Sequence, residues 1–164
     1  TCYNKLLKST AAKLRKRRKT MIVIGSDHAG YDLKAEIIAH LTAQGIELLD
    51  AGCNGESCDY PEIAVRVTEH IKNGECDKGI LICGTGIGMS MAANKVDGIR
   101  AALCSDCFSA KYTRLHNDAN VLCMGARTTG PGLAAEITDI FLNTEFEGGR
   151  HQHRIDMFSE IEKK

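Results

Sequence analysis

Cys83 stands directly before Gly84, Gly86 and Gly88, so a thiol heads a glycine-rich turn. Glycines let a backbone turn tightly and bring its N–H groups close to a ligand. Such donors would stabilise a thiolate and the charge developing on a reacting oxygen. Thr85 adds a hydroxyl, and together these residues favour a phosphate or oxyanion cradle over a purely structural turn. Further groups carry chemistry elsewhere. Asp27-His28 lies in the polar stretch Gly25–Gly30, and His116-Asn117-Asp118 forms a second compact cluster. Arg127 follows Gly125-Ala126. Arg150 and Arg154 lie four apart, where they would share a helix face and suit a phosphate dianion. A solvated basic helix end is the plain alternative.

The elements that must position these groups follow from the apolar pattern. Ile80-Leu81-Ile82 is a continuous apolar run, as in a parallel strand buried on both faces, so Cys83 would sit at a strand's carboxyl end. Met89–Asn94 are mostly good helix formers, so a helix should follow the turn and aim its unpaired N–H groups at the same spot. The alternation repeats along the chain. Met21–Ser26 reads as a first strand, followed by a helix to about Gln44 with Leu33, Ile37, Ile38 and Leu41 on one face. Ile46–Leu49 reads as a second strand, then a loop, then a helix opened by Pro61 and marked by Ile63, Val67 and Ile71.

Ile99–Leu103 and Ala119–Met124 complete five strands, with a helix over Asp106–Leu115 between them. Another helix should cover Leu133–Leu142, with Leu133, Ile137, Ile140 and Phe141 inward. The last should begin near Arg150, with Ile155, Phe158 and Ile161 on its apolar side. No hairpin signal interrupts the series. This predicts a Rossmann-like, doubly wound α/β fold, three layers around a five-stranded parallel sheet with a C-terminal helix. Ligands bind at the carboxyl ends of such strands, so Asp27-His28, Cys83–Gly88, the segment leading to His116, and Arg127 are expected on one edge.

A chain of 164 residues is one domain with room for a real core. No apolar run approaches the ~20 residues needed to cross a bilayer. The formal net charge is zero but unevenly spread: residues 1–20 hold eight Lys/Arg and no acid. The remaining residues carry 13 basic and 21 acidic side chains, a net of −8, which argues against nucleic-acid binding. The basic leader suits an organelle-targeting segment or a nuclear-type cluster; a disordered extension or translated upstream sequence is preferred, with Met21 as a natural start. Residues 21–164 then form the functional domain. Eight cysteines without a secretory signal point to free thiols in a reducing, cytoplasmic setting.

The glycine loop fits a dinucleotide fingerprint poorly, because it follows the third strand and its third glycine comes one residue early. Cys104 and Cys107 form a C-x-x-C without thioredoxin-like surroundings; joined with Cys53 and Cys58 they could make a Cys₄ zinc site, but buried or incidental thiols are favoured. His40, His70, His151 and His153 read as solvent-facing.

These residues together resemble the ribose-5-phosphate isomerase B family, within the wider group that includes galactose-6-phosphate isomerases. The resemblance runs from about Met21 to Glu162 through G-S-D-H-A-G at 25–30, D-Y-P at 59–61, I-C-G-T-G-I-G-M-S-M-A-A-N-K at 82–95, R-L-H-N-D-A-N-V at 114–121, G-A-R at 125–127 and E-G-G-R-H-x-x-R at 147–154. It implies an aldose–ketose isomerase acting on ribose 5-phosphate through an enediolate, or on a six-carbon sugar phosphate, with no cofactor or metal. A nucleotide-binding or dithiol redox module is the alternative from another class. By resemblance Cys83 is the base between C1 and C2, and Gly84, Thr85, Gly86, Ile87 and Gly88 hold the enediolate oxygen. Asp27 and His116 open the furanose ring, with His116 as proton donor. His28, Asn117, Arg127, Arg150 and Arg154 bind hydroxyls and phosphate. Members that lack the cysteine use a glutamate six positions later, where this chain has Met89. The family builds its site between two subunits, which implies a homodimer or a pair of dimers.

Overall fold

The computed structural model describes residues 21–164; the basic leader, and the expectation that it forms a separate extension, lie outside the described residues. Five strands alternate with helices: β1 Ile22–Ser26, α1 Tyr31–Ala43, β2 Leu48–Asp50, α2 Tyr60–Lys72, β3 Lys78–Cys83, α3 Ile87–Ala93, β4 Ala101–Leu103, α4 Cys107–Asn117, β5 Val121–Gly125, α5 Pro131–Asn143 and α6 Arg150–Glu162. All strand pairs are parallel, in the order β2-β1-β3-β5-β4. The expected fold is the observed one. Among the described residues, no helix is long and apolar enough to cross a membrane.

Side chains alternate across each strand, and the two faces collect two cores. Ile22, Ile24, Ile80, Ile82, Leu122 and Met124 pack against α1, α4 and α5. Val23, Leu81, Cys83, Val121 and Cys123 pack against α2 and α3. The central strands are buried along nearly their whole length, which is why they read as continuous apolar runs.

The differences from the expected elements are local. β2 lies two residues later at its start, and β4 begins at Ala101 because the Arg100 N–H is taken by the Asn120 side chain at 2.8 Å. α4 runs on to Asn117 and ends in a left-handed Asp118 (φ 44°); the Asp118 and Ala119 N–H groups return to Arg114 and Thr113 carbonyls, which delays β5 to Val121. On α5 the inward face is Ala134, Ile137, Thr138 and Phe141, which leaves Leu133 exposed and Ile140 half-buried. On α6 only His151 and Ile155 are buried, while Phe158 and Ile161 face solvent in the single chain. His151 is therefore not solvent-facing. His40 and His70 are half-buried against Asp139 and Glu75.

Candidate active site

β1 and β3 are neighbours, and the chain leaves them toward opposite sides of the sheet, which makes their carboxyl ends the crevice of the fold. Cys83 closes β3 and is 4% exposed. The Gly86 N–H donates to its Sγ at 3.1 Å. Gly86 has φ 78°, and a Cβ there would come within 2.5 Å of Leu103 and 2.8 Å of the Met124 backbone, so the turn closes only with glycine. The Thr85 Oγ1 accepts the Ile87 N–H at 3.4 Å. Across the crevice the Asp27 N–H donates to the Ile82 carbonyl at 3.2 Å, and Asp27 Oδ1 accepts the Gly30 N–H at 3.0 Å. Asp27 is buried and His28 exposed. The Arg127 N–H donates to the Gly84 carbonyl at 3.0 Å, and its guanidinium lies alongside Gly84. This edge thus gathers Asp27, His28, the whole turn 84–88 and Arg127.

The edge also holds Tyr60, which carries no chemical motif of its own in the sequence. The Tyr60 ring covers Gly88 so closely that a Cβ there would lie 2.6 Å from it. Its signal was the D-Y-P step, an aromatic at the first turn of α2. The Cys58 thiol lies against Cys53, and burial, with Cys53 adding to it, pushes it up to about 11.

His116 and Asn117 are not on this edge. α4 returns antiparallel to the strands, so its last turn lies at the amino ends of β3 and β5. The six residues of β3 span about 17 Å at ~3.3 Å per residue, which separates the two groups within one chain. The expectation of a single shared edge therefore fails for His116. What surrounds it is a second cluster. The His116 ring stacks on His151, with centroids 4.1 Å apart and planes inclined by 10°. Glu147 Oε2 lies 3.8 Å from His116 Nε2 and 3.6 Å from His151 Nε2. The Asn117 carbonyl accepts Arg100 Nε at 3.1 Å. Buried Arg114 donates to Asp118 Oδ1 at 2.7 Å and to the Ala119 carbonyl at 2.6 Å, which fixes the end of α4. Arg150 and Arg154 stand on α6 beside His151, and both are exposed. Burial first, then His116 and Arg150, push the His151 imidazole below its usual value.

The cysteines do not converge on a zinc site. Cys53 belongs to the core under α2 and α3, Cys104 to the core on the opposite face of the sheet. Burial pushes the Cys104 thiol up to about 12, and burial with Glu136 raises Cys107, so neither shift favours the thiolate that disulfide exchange needs. Among the described residues, His116, Glu147 and His151 are the one set of three potential metal ligands within 4.8 Å of one another.

Residues 22–158 match the family described as Ribose/Galactose Isomerase. The chain belongs to this family. It is 49% identical over 144 residues to ribose-5-phosphate isomerase B of Escherichia coli, covering 87% of this chain and 97% of that protein. It is 45% identical over 137 residues to a D-erythrulose-4-phosphate isomerase of Pectobacterium atrosepticum, covering 82% and 90%. The structure of Clostridium thermocellum ribose-5-phosphate isomerase B superposes with a TM-score of 0.86 at 52% identity, covering 88% of this chain and 98% of the other. As a Ribose/Galactose Isomerase family member, the chain is a sugar phosphate isomerase.

Proposed function

We propose that this protein interconverts ribose 5-phosphate and ribulose 5-phosphate in a site that two copies build together. The observation that carries the reading is the Cys83 thiol at the carboxyl end of β3, held by the Gly86 N–H at 3.1 Å inside a turn of glycines. Isomerisation requires a base beside a carbon acid and donors for the enediolate oxygen. Cys83 as thiolate takes the proton from C2 and returns it to C1, while backbone N–H groups of Gly84–Gly88 receive the oxygen, with the Thr85 hydroxyl beside them. Asp27 takes the O1 proton of the furanose as His116 of the second copy gives one to the ring oxygen, so the C1–O4 bond breaks and the aldehyde forms. His28 and Asn117 hold hydroxyls, and Arg127, Arg150 and Arg154 hold the phosphate.

The separation of the two clusters supports the shared site, since one chain's His116 lies far from its own Cys83. Ile87, Met91, Leu103, Phe108, Phe158 and Ile161 are exposed apolar groups around edge strand β4, a surface suited to a second copy. The relatives named ribose-5-phosphate isomerase B support the five-carbon substrate. A coupled assay with ribose 5-phosphate and allose 6-phosphate side by side tests it. Faster turnover of the pentose phosphate is expected; a clear preference for allose 6-phosphate would overturn the substrate assignment.

A further inference from the structure

Glu147 and His151 take no step in the proposed reaction, yet both face its proton donor. The Glu147 carboxylate lies between His116 and His151, 3.8 Å and 3.6 Å from their Nε2 atoms. His151 is only 4% exposed, while the His116 side chain is about one-third exposed, at 35%. The backbone holds this arrangement in place: the Glu147 N–H donates to the Leu115 carbonyl at 3.1 Å, and the His151 N–H to the Gly148 carbonyl at 3.1 Å. Tyr112 meets His116 edge-on at 5.0 Å from its own helix. The groups around the stacked His116–His151 pair are thus Tyr112 from α4, Glu147 from the segment before α6, and Arg150 and Arg154 on α6, whose charges act on His151.

A ring-opening acid needs a fixed orientation and a proton to give. Stacking on a buried ring fixes the imidazole plane, and a carboxylate beside Nε2 balances the charge of a protonated ring. Burial, His116 and Arg150 hold His151 below the usual imidazole value, which disfavours a second charge in the stack. The same three side chains could be imagined around a metal ion. Near-parallel rings 4.1 Å apart cannot both contain one ion in plane at ~2.0–2.1 Å, and Arg150 and Arg154 add positive charge.

We infer that Glu147 and His151 are positioning residues that orient His116 for furanose opening in the partner's crevice. The inference rests on the assignment of His116 as the proton donor. It predicts a defect confined to the ring step. Glu147→Gln and His151→Leu should lower kcat on ribose 5-phosphate about tenfold or more with KM little changed, and Glu147→Asp should recover part of the loss. Ribulose 5-phosphate cannot close to a furanose, because its C5 oxygen carries the phosphate. Its uptake of deuterium at C1 from D₂O, which needs only Cys83 and the enediolate, should therefore fall much less in the same variants. Equal loss of both reactions, or unchanged kcat on ribose 5-phosphate, would overturn the inference. Unchanged ribose 5-phosphate turnover in His116→Ala would instead overturn the assignment on which it rests.

Discussion

The two edges of the sheet are built by different means. At the carboxyl edge the candidate groups are the N–H groups of a glycine turn, a buried thiol and a carboxylate tied to the Gly30 N–H within its own loop, with the exposed His28 and Arg127 beside them. At the amino edge they are side chains on α4, on α6 and in the segment just before α6, with Arg150, Arg154 and Glu147 exposed. The first cluster is packed into the core at Cys83 and Asp27. The second is held by ring stacking and charge, and offers its arginines outward. A proton-abstraction site tolerates little displacement, whereas a phosphate grip is served by reach. Under the proposed shared site, the contrast fits one half growing out of the sheet and the other being delivered by a neighbour.

Substitutions on each edge should show this contrast. Cys83→Ala should reduce kcat by about 10²–10⁴-fold, the typical contribution of a positioned base, while fold and phosphate-ester binding persist. Steady-state kinetics and circular dichroism check it, and near-wild-type kcat would shift the base to another residue. On the opposite edge Arg154→Ala should act on KM instead. Charge-assisted hydrogen bonds contribute ~1.5–3 kcal/mol, so KM for ribose 5-phosphate should rise about tenfold to hundredfold with kcat and Tm nearly unchanged. An unaltered KM would mark the helix as a solvated end.

Within the glycine turn the geometry ranks two substitutions. Gly86→Ala meets backbone at 2.8 Å and a positive φ, so urea unfolding should show a loss of about 1–3 kcal/mol. Gly84→Ala meets nothing closer than 3.5 Å and should cost much less. Equal losses would mean that the turn is looser than its contacts indicate. The smallest expected effect concerns His151. Its folded value lies below that of the unfolded chain, so the unfolded state takes up the proton first as pH falls. Stability should therefore decline as pH drops through the ordinary imidazole range, near 6.5, and level off once folded His151 also protonates. His151→Leu should flatten that slope in Tm measured against pH.

The carboxyl edge was legible because its signals are contiguous. Ile80–Cys83 and the glycines after it define a strand and a turn within one short stretch. The amino edge depends on contacts between segments some thirty residues apart, as in the Glu147 N–H to Leu115 carbonyl bond. Nothing local announces such a pairing, so His151 read as a surface histidine. One signal was present: His151 and Ile155 stand four apart on the inward face of α6. Phe158 and Ile161, expected on the apolar side of α6, are exposed in the single chain, where they line a surface cavity with Ile99, Ala101 and Ala119. Leu133 failed for a simpler reason, being one position off the face set by Ala134, Ile137 and Phe141.

The central claim is that each active site takes Cys83 from one chain and His116 from another, and mixing two inactive variants tests it most directly. Cys83→Ala and His116→Ala proteins, each assayed alone, should both be deficient on ribose 5-phosphate. After unfolding and refolding together, or co-expression, half of the dimers should be mixed. Each mixed dimer then holds one site with both intact residues and one with neither, so turnover should return to about one quarter of the wild-type level. Had both residues served the same chain's site, every site in the mixture would lack one of them. Activity that stays at the level of the separate variants, with mixed dimers demonstrably formed, would contradict the account.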